Sequence, residues 1–198
     1  MINRPTPLKK GDTVAITCPA WKLPKDIDSA VKLFESWGLK VILGETINAS
    51  YHQFAGDDNL RARDFQHFLD DNSVKAIFAA RGGYGTVRII DRLDFSKFKL
   101  QSKWIVGFSD ITVLLSHIYA NYQIETLHGP IPLTIPDDTS DALETLRKVL
   151  FNEPVTYRYV SSQANKYGEA RGILVGGNLS ILIALSNSSR TCVPIKTC

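Results

Sequence analysis

The feature of this 198-residue sequence that most constrains its fold is a repeated alternation of short apolar runs with helical patterns. The apolar runs are rich in Val, Ile and Ala, and they cover residues 13–17, 39–43, 74–80 and 104–108. Such alternation is typical of βαβ units, in which helices join parallel strands and pack on the sheet. The sequence therefore predicts an α/β domain with a mostly parallel sheet flanked by helices, of the Rossmann or flavodoxin-like kind.

The pattern also predicts how the chain is divided. A helix near Ser140 to Leu150 closes the first domain, and further strands are predicted at 156–160 and 171–175, with a glycine turn and a helix after the second. We expect three parts, with an α/β domain first, then a linker and the beginning of a carboxy-terminal domain, then an irregular tail. Their boundaries are 1–155, 156–185 and 186–198.

Composition narrows the classes of partner. The net charge is only +3, and the 23 basic and 20 acidic residues are interleaved without a basic block, so no nucleic-acid partner is expected. No apolar stretch approaches the ~18 residues of a membrane span, so we expect a cytoplasmic protein with no membrane partner. Cys18 stands alone in the body of the chain, while Cys192 and Cys198 lie in the tail. A disulfide framework is therefore not expected.

Ser109 is the main candidate for chemistry, because it stands where a buried strand gives way to a helix. Such a turn presents a side chain at the carboxyl edge of a parallel sheet, where open α/β folds place their sites. The helix amino terminus adds N–H donors suited to an oxyanion, and the backbone N–H of Asp110 would be one of them. The same pattern also fits a serine that only caps the helix. Ile111 excludes the Gly-x-Ser-x-Gly elbow of α/β-hydrolases.

A glycine-rich loop, Arg81-Gly82-Gly83-Tyr84-Gly85, follows the third apolar run. Three glycines in four positions let a backbone turn sharply and approach a ligand closely, so the loop could cradle a phosphate or supply an oxyanion donor. It could equally be a turn that the topology alone requires. The loop lacks the Gly-x-Gly-x-x-Gly spacing and a P-loop lysine, so a nucleotide site is weakly supported.

The four histidines offer few candidates for a general base. His52 falls in a loop, His67 in a helix beside an aromatic residue, and His117 too far along the helix that follows Ser109. His128 precedes Gly129-Pro130 after a possible short strand, and it could approach the sheet edge or be a structural residue. No pair of histidines has metal-ligand spacing, so no zinc site is expected.

Five motifs in this order resemble the LD-carboxypeptidase family of serine peptidases, which includes the microcin-immunity peptidases. They cover the chain from about Leu8 to Leu185. The motifs are Gly11-Asp12-Thr13-Val14-Ala15-Ile16 with Pro19-Ala20, the loop 81–85, Gly107-Phe108-Ser109-Asp110-Ile111-Thr112, His128-Gly129-Pro130, and residues 172–179 with the sequence Gly-Ile-Leu-Val-Gly-Gly-Asn-Leu. Each motif alone would be weak evidence for this resemblance, whereas five motifs in the same order make it specific.

The resemblance implies a Ser-Glu-His triad in which Ser109 attacks the terminal peptide carbonyl of the substrate. The N–H groups of Asp110 and Gly83 would hold the oxyanion. The implied reaction hydrolyses the L-to-D bond of murein tetrapeptide and releases D-Ala during cell-wall recycling. The family implies no metal or organic cofactor and a cytoplasmic location. The implied partners are a muropeptide substrate and, in a homodimer, a second copy of the chain.

The sequence departs from the family after Leu185. In the family the catalytic Glu and His belong to the carboxy-terminal domain, and no residue here stands at a matching position. The sequence therefore reads as a truncated or frame-shifted product or as a short natural form, and we expect it to be inactive or weakly active by itself. A muropeptide-binding module without turnover is the main alternative, and a nucleotide or phosphosugar binder is a weaker one. We also expect exposed apolar side chains at Ile173, Leu174, Ile181, Ile183 and Leu185, with self-association as a result.

Overall fold

A computed structural model describes residues 2–158, 160–162, 164–166, 168–169 and 171–186. Its centre is a sheet of five parallel strands in the order β2-β1-β3-β4-β5. The strands are β1 (Thr13–Thr17), β2 (Lys40–Leu43), β3 (Val74–Ala79), β4 (Trp104–Gly107) and β5 (Leu127–His128). This strand order is that of flavodoxin-like sheets, so the predicted α/β class and the parallel sheet are confirmed.

Helices fill the connections between the strands and continue after β5. They are α1 (Asp28–Ser36), α2 (Asp58–Asp70), α3 (Thr86–Ile89), α4 (Ser96–Leu100), α5 (Thr112–Tyr122), α6 (Ser140–Leu150) and α7 (Leu179–Leu185). Short 3-10 turns lie at Glu45–Ile47, Ile90–Arg92, Ser109–Ile111 and Ile135–Asp137. No helix in these described ranges is both long and apolar enough to cross a bilayer.

The helix ends follow local sequence signals. Asp57 caps α2, as its carboxylate accepts a hydrogen bond from Leu60 N at 2.7 Å. Gly38 ends α1 with a left-handed φ of +82°, a conformation that glycine adopts without strain. The start of α1, by contrast, has no side-chain cap. Asp26 accepts from Asp28 N, but the helix begins after Ile27 with no side-chain cap bond.

The core lies on both faces of the sheet because successive strand residues point to opposite sides. On β3, Phe78 packs on one face with Phe34 of α1, their ring centroids 4.4 Å apart. Its neighbour Ile77 packs on the other face with Phe65 of α2 and Leu114 of α5. Both faces are therefore covered, which explains why the strands read as nearly continuous apolar runs.

The region after α6 differs from the sequence prediction. Residues 156–158 and 160 are not in a strand, Tyr159 lies outside the described residues, and residues 171–175 are not paired into a sheet. A helix does follow the glycine turn, as α7. The three-part division of the chain stays a prediction, and the tail beyond Ser186 lies outside the described residues.

Candidate active site

Four loops meet at the carboxyl edge of the sheet, and each carries a motif that the sequence singled out. They follow β1 (residues 18–21), β3 (residues 80–85), β4 (residues 108–111) and β5 (residues 129–130). The strand order reverses between β1 and β3, and open α/β sheets bind their ligands outside the strand ends at such a switch point. The topology therefore brings motifs that are far apart in the sequence to one edge.

The backbone of Ser109 is left-handed, with a φ of +60°. A non-glycine residue in this conformation costs about 1–3 kcal/mol and tends to mark functional sites. The interpretation of Ser109 as a simple helix cap is wrong, because the cap positions are held by Phe108 for the 3-10 turn and Ile111 for α5, neither with a side-chain cap bond. The Ser109 hydroxyl donates to no described residue and is partly exposed at the sheet edge.

The glycine loop packs directly against the Ser109 corner. A Cβ atom placed on Gly82 would lie 3.2 Å from Ser109 Cβ and 3.4 Å from Asp110 N. Gly83 and Gly85 have φ values of +112° and +137°, which other residues rarely adopt. Among the backbone hydrogen bonds of the described loops and turns, none is donated by the N–H of Gly83 or of Asp110. The absence of a side chain at these glycines therefore permits a close approach as well as a turn.

The carboxylate of Asp110 joins the Ser109 corner to the end of the glycine loop. Its Oδ2 accepts hydrogen bonds from Thr86 N at 2.9 Å and from Thr86 Oγ1 at 2.7 Å. Asp110 is 2% exposed and Thr86 is fully buried. Hydrogen bonds to a buried carboxylate are among the stronger ones in proteins, so this pair fixes the spacing of the two loops.

A buried arginine holds the same loops from the side of α2. Arg61 is fully buried, and its guanidinium donates to Pro19 O at 2.7 Å, to Gly85 O at 3.1 Å and to Gly56 O at 3.3 Å. It also forms an ion pair with Asp58. Burial lowers the pKa of Arg61, while the Asp58 carboxylate opposes that shift. The guanidinium thus ties the loop after β1 to the loop after β3.

Trp21 and Arg81 form the rim next to the glycine loop. The Trp21 ring lies where a Gly83 side chain would otherwise be, and the Arg81 guanidinium stacks 5.2 Å from the centre of that ring. Arg81 also donates to the carbonyl oxygen of Lys22. Arg81 is half-buried and pairs with no carboxylate among the described residues. It is therefore a positioned cation at the sheet edge.

The buried thiol next to β1 has no sign of reactivity. Cys18 is fully buried, and burial, together with the nearby Asp64 charge, raises its pKa to about 12. Asp64 accepts hydrogen bonds from Thr17 Oγ1 at 2.6 Å and Thr46 Oγ1 at 2.5 Å, which makes this cluster a structural network. A thiol with so high a pKa stays protonated and is a poor nucleophile.

The histidines divide between the sheet edge and the distant surface. His128 ends β5 in register with Gly107, and its ring centroid lies 6.3 Å from that of Phe108. It therefore neighbours the Ser109 corner, as the sequence suggested it could. His117, on α5, packs instead against Phe95, which precedes α4, and no described histidine hydrogen-bonds to Ser109. Nor do the described residues contain a cluster of three potential metal ligands.

The last motif reaches back to the helix that follows Ser109. Asn178 N donates to Thr112 Oγ1 at 3.0 Å, and Gly177, with a φ of +157°, leaves no room for a side chain against the Thr112 methyl. Asn178 also caps α7 through Ile181 N at 3.2 Å. Thr112 is the first residue of α5, so this motif anchors the final described segment next to the candidate site.

A cavity of about 750 Å³ lies between α5, β5 and residues 172–177. Its wall is mostly apolar and includes Leu115, Leu127 and Val175. The hydroxyl of Ser116, a residue 5% exposed, has no hydrogen-bond partner in the described structure and also lines it. His128 lies at the wall as well, so the cavity adjoins the sheet edge.

Sequence reasoning found Ser109 and the glycine loop but missed the two charged side chains that hold them. It treated Asp110 only as a backbone donor and gave Arg61 no role. The signal for Asp110 was available, since an acidic residue beside a buried turn needs partners. Arg61 gave no signal, because an arginine in an amphipathic helix is normally exposed.

The chain matches a family described as the LD-carboxypeptidase N-terminal domain over residues 14–129, more than half of its length. A probable murein peptide carboxypeptidase of Bacillus subtilis is 39% identical over 185 residues, which are 90% of this chain and 58% of that protein. The chain thus spans less than two thirds of this relative.

Solved structures agree in fold. The muramoyltetrapeptide carboxypeptidase from Oxalobacter formigenes superposes with a TM-score of 0.78 at 27% identity, covering 90% of this chain and 61% of that one. The microcin C7 self-immunity protein MccF, in complex with aspartyl sulfamoyl adenosine, has a TM-score of 0.79 at 21% identity, covering 93% and 65%. The sequence match and the superpositions agree, and the chain belongs to the LD-carboxypeptidase N-terminal domain family.

Proposed function

We propose that this chain carries the nucleophile-bearing part of a serine carboxypeptidase of LD specificity, which removes D-Ala from murein tetrapeptide. The observation that carries the proposal is the left-handed Ser109 at a strand-to-helix corner, packed against Gly82 of the glycine loop. The N–H groups of Asp110 and Gly83 donate none of the described backbone hydrogen bonds, and donors of this kind suit the oxyanion that forms when a serine attacks a carbonyl.

In this proposal Ser109 Oγ adds to the terminal peptide carbonyl carbon while a histidine takes its proton. The N–H groups of Asp110 and Gly83 donate to the resulting oxyanion. Collapse of this intermediate breaks the C–N bond, and the proton passes to the amine of the departing D-Ala. Water then hydrolyses the ester and restores Ser109. In the family the histidine and its Glu partner lie beyond the segment that corresponds to α7.

The positive charge of Arg81, next to the glycine loop, supports the proposal of an exopeptidase. A carboxypeptidase must recognise a free terminal carboxylate, and an arginine held by an aromatic ring is well suited to do so. Arg81, stacked on Trp21 and without a carboxylate partner in the described residues, lies one residue from Gly82. We therefore propose that Arg81 pairs with the substrate carboxylate.

The test of turnover joins this chain, after Leu185, to the part of the Bacillus subtilis relative that follows its matched region. We expect this chimera to release D-Ala from murein tetrapeptide and Ser109→Ala to lower kcat by about 10³-fold or more. Ser140→Ala is the matched control, because Ser140 is exposed on α6, and it should retain full activity. Equal activity of Ser109→Ala and the parent would contradict the role of Ser109.

A peptide-binding module without turnover remains the second candidate. It is favoured by the Ser109 hydroxyl, which has no base as a hydrogen-bond partner in the described part of the chain. Calorimetry of the chain with the tetrapeptide separates the two proposals. Binding by both the chain and the chimera, with no D-Ala released by either, would support the binding module over the enzyme.

A further inference from the structure

Asp110 occupies two positions in the candidate site at once. Its backbone N–H lies beside the Ser109 corner, near the position that a Gly82 side chain would occupy, while its carboxylate is 2% exposed and points to the other loop. There, Oδ2 accepts from both Thr86 N and Thr86 Oγ1. Asp110 therefore belongs to the Ser109 corner through its backbone and is bonded to the end of the glycine loop through its side chain, and both of these segments carry a proposed oxyanion donor.

The other hydrogen bonds described for the glycine loop join it to residues outside the Ser109 corner, such as Trp21, Lys22 and Arg61. A chain with three glycines in four positions has many conformations open to it, and fixing one of them needs specific contacts. At the start of the loop, Gly82 O accepts from Trp21 N at a long 3.4 Å. At its end, the Asp110 carboxylate holds Thr86, and Arg61 holds Gly85 O from the opposite side. The best restraint toward Ser109 is thus the Asp110–Thr86 pair.

We propose that the Asp110 side chain is a positioning residue that sets the distance between the glycine-loop N–H groups and the Ser109 corner. This inference rests on the proposed function, since its consequence is a preformed oxyanion site. Asp110 does not act on the substrate through its carboxylate. It acts through Thr86, by keeping the Gly83 N–H and its own N–H directed at the same point.

The test uses the whole 198-residue chain and two readouts. The first is hydrogen exchange of the amides of residues 81–86, followed by mass spectrometry. The second is the affinity for a peptide boronic acid whose boron replaces the scissile carbonyl carbon, because a tetrahedral boronate needs the serine oxygen and the oxyanion donors. Only the second readout depends on the proposed function.

We expect Asp110→Ala to accelerate exchange in the glycine loop and to weaken boronate binding at least tenfold, since small misplacements of such donors are costly. Thr86→Val removes the hydroxyl donor but keeps the shape, so it should act in the same direction. Thr86→Ser retains the hydroxyl and should restore both readouts. Thr46→Val is the control, because it also breaks a threonine bond to a buried aspartate, Asp64, and in addition removes the oxygen that accepts from Cys18 N.

The outcomes separate the inference from the function on which it rests. Unchanged loop exchange in Thr86→Val, or faster exchange with unchanged boronate affinity, would overturn the positioning role. Equal effects of Thr46→Val on the loop would overturn it too, as they would show general loosening. If the parent bound no boronate, the proposed function would fail, and the exchange data would still decide whether Asp110 fixes the loop. If Asp110→Ala did not fold, Thr86→Val and Thr86→Ser would decide.

Discussion

The carboxyl edge of the sheet and the segment 171–186 are held in opposite ways. At the edge, Arg61 and Asp110 are buried and tie three loops together by hydrogen bonds. The segment touches the domain through the Gly177–Asn178 turn and through Leu185 and Ile181, while Leu174 is 99% exposed. The two regions are in contact at Thr112. Their different burial therefore does not come from one of them lying far from the other.

The loops at the sheet edge need hydrogen-bond partners, whereas the segment 171–186 needs cover for its apolar side chains. The loops at the edge are irregular backbone, and buried charges supply hydrogen bonds that no helix or strand provides there. The segment carries apolar side chains that this domain leaves uncovered. Our expectation of exposure is confirmed for Ile173, Leu174 and Ile183 but wrong for Ile181 and Leu185, because α7 packs one face against α5.

The largest expected effect is the loss of Arg61. Arg61→Met would remove the donors to Pro19 O and Gly85 O and leave Asp58 with fewer partners, so we expect a loss of about 3 kcal/mol or more in the free energy of unfolding. Arg63→Met is the control, because Arg63 is exposed and its ion pair is with exposed Glu45, and it should change stability by less than about 1 kcal/mol. Urea unfolding followed by circular dichroism measures both. Similar losses in Arg61→Met and Arg63→Met would contradict the view that the buried arginine stabilises the loops at the sheet edge.

A substitution at the contact between Gly177 and Thr112, where the two regions meet, should have an intermediate effect on stability. Gly177→Ala would place a methyl group against Thr112 at a φ that alanine avoids, at a cost of about 1–3 kcal/mol. The segment should detach while the domain stays folded, so limited proteolysis should cut residues 171–178 faster. Gly172→Ala, where a side chain meets open space, should be cut at the parental rate. Unchanged cleavage in Gly177→Ala would show that this turn does not anchor the segment.

A pH effect of about 1 kcal/mol should come from a buried lysine at the other end of the sheet. Lys103 donates to Phe68 O and Asp71 O, and burial lowers its pKa from 10.5 to about 8. Between these values the unfolded chain binds more protons than the folded one, so stability should rise with pH.

The useful window is pH 8 to 9. Above it the Cys18 thiol ionises in the unfolded chain but not in the folded one, where its pKa is about 12, and this lowers stability. Lys103→Met should remove the rise between pH 8 and 9, as measured by urea unfolding at each pH. A rise of the same size in Lys103→Met would assign it to another group.

The smallest effect on stability is expected in the exposed segment. Leu174→Ala should change the free energy of unfolding by less than about 0.5 kcal/mol, whereas Leu114→Ala, in the core, should cost about 2–5 kcal/mol. Self-association should nonetheless decrease in Leu174→Ala, because exposed apolar area favours association. Sedimentation velocity over a range of concentrations measures this. An unchanged monodisperse monomer in both parent and variant would contradict the expected self-association.

Much of the sheet could be predicted from the sequence because buried parallel strands leave a strong apolar pattern, as at 74–80. The corner at Ser109 was visible for the same reason, since strand and helix patterns meet there. The left-handed φ of Ser109 and the contacts of Arg61 were not, because they arise from loops that meet only in three dimensions. Among the described residues at 156–160 and 171–175 the predicted strands are absent, because β-branched residues favour a strand only when a neighbouring strand is available.

The most direct test of the account asks whether Ser109 faces an oxyanion site. Boron-11 NMR of the chain with the peptide boronic acid distinguishes trigonal from tetrahedral boron. We predict a tetrahedral signal with the parent chain and none with Ser109→Ala, because the adduct needs the serine oxygen beside the N–H groups of Asp110 and Gly83. A tetrahedral signal of equal strength in Ser109→Ala, or none in the parent, would contradict the account.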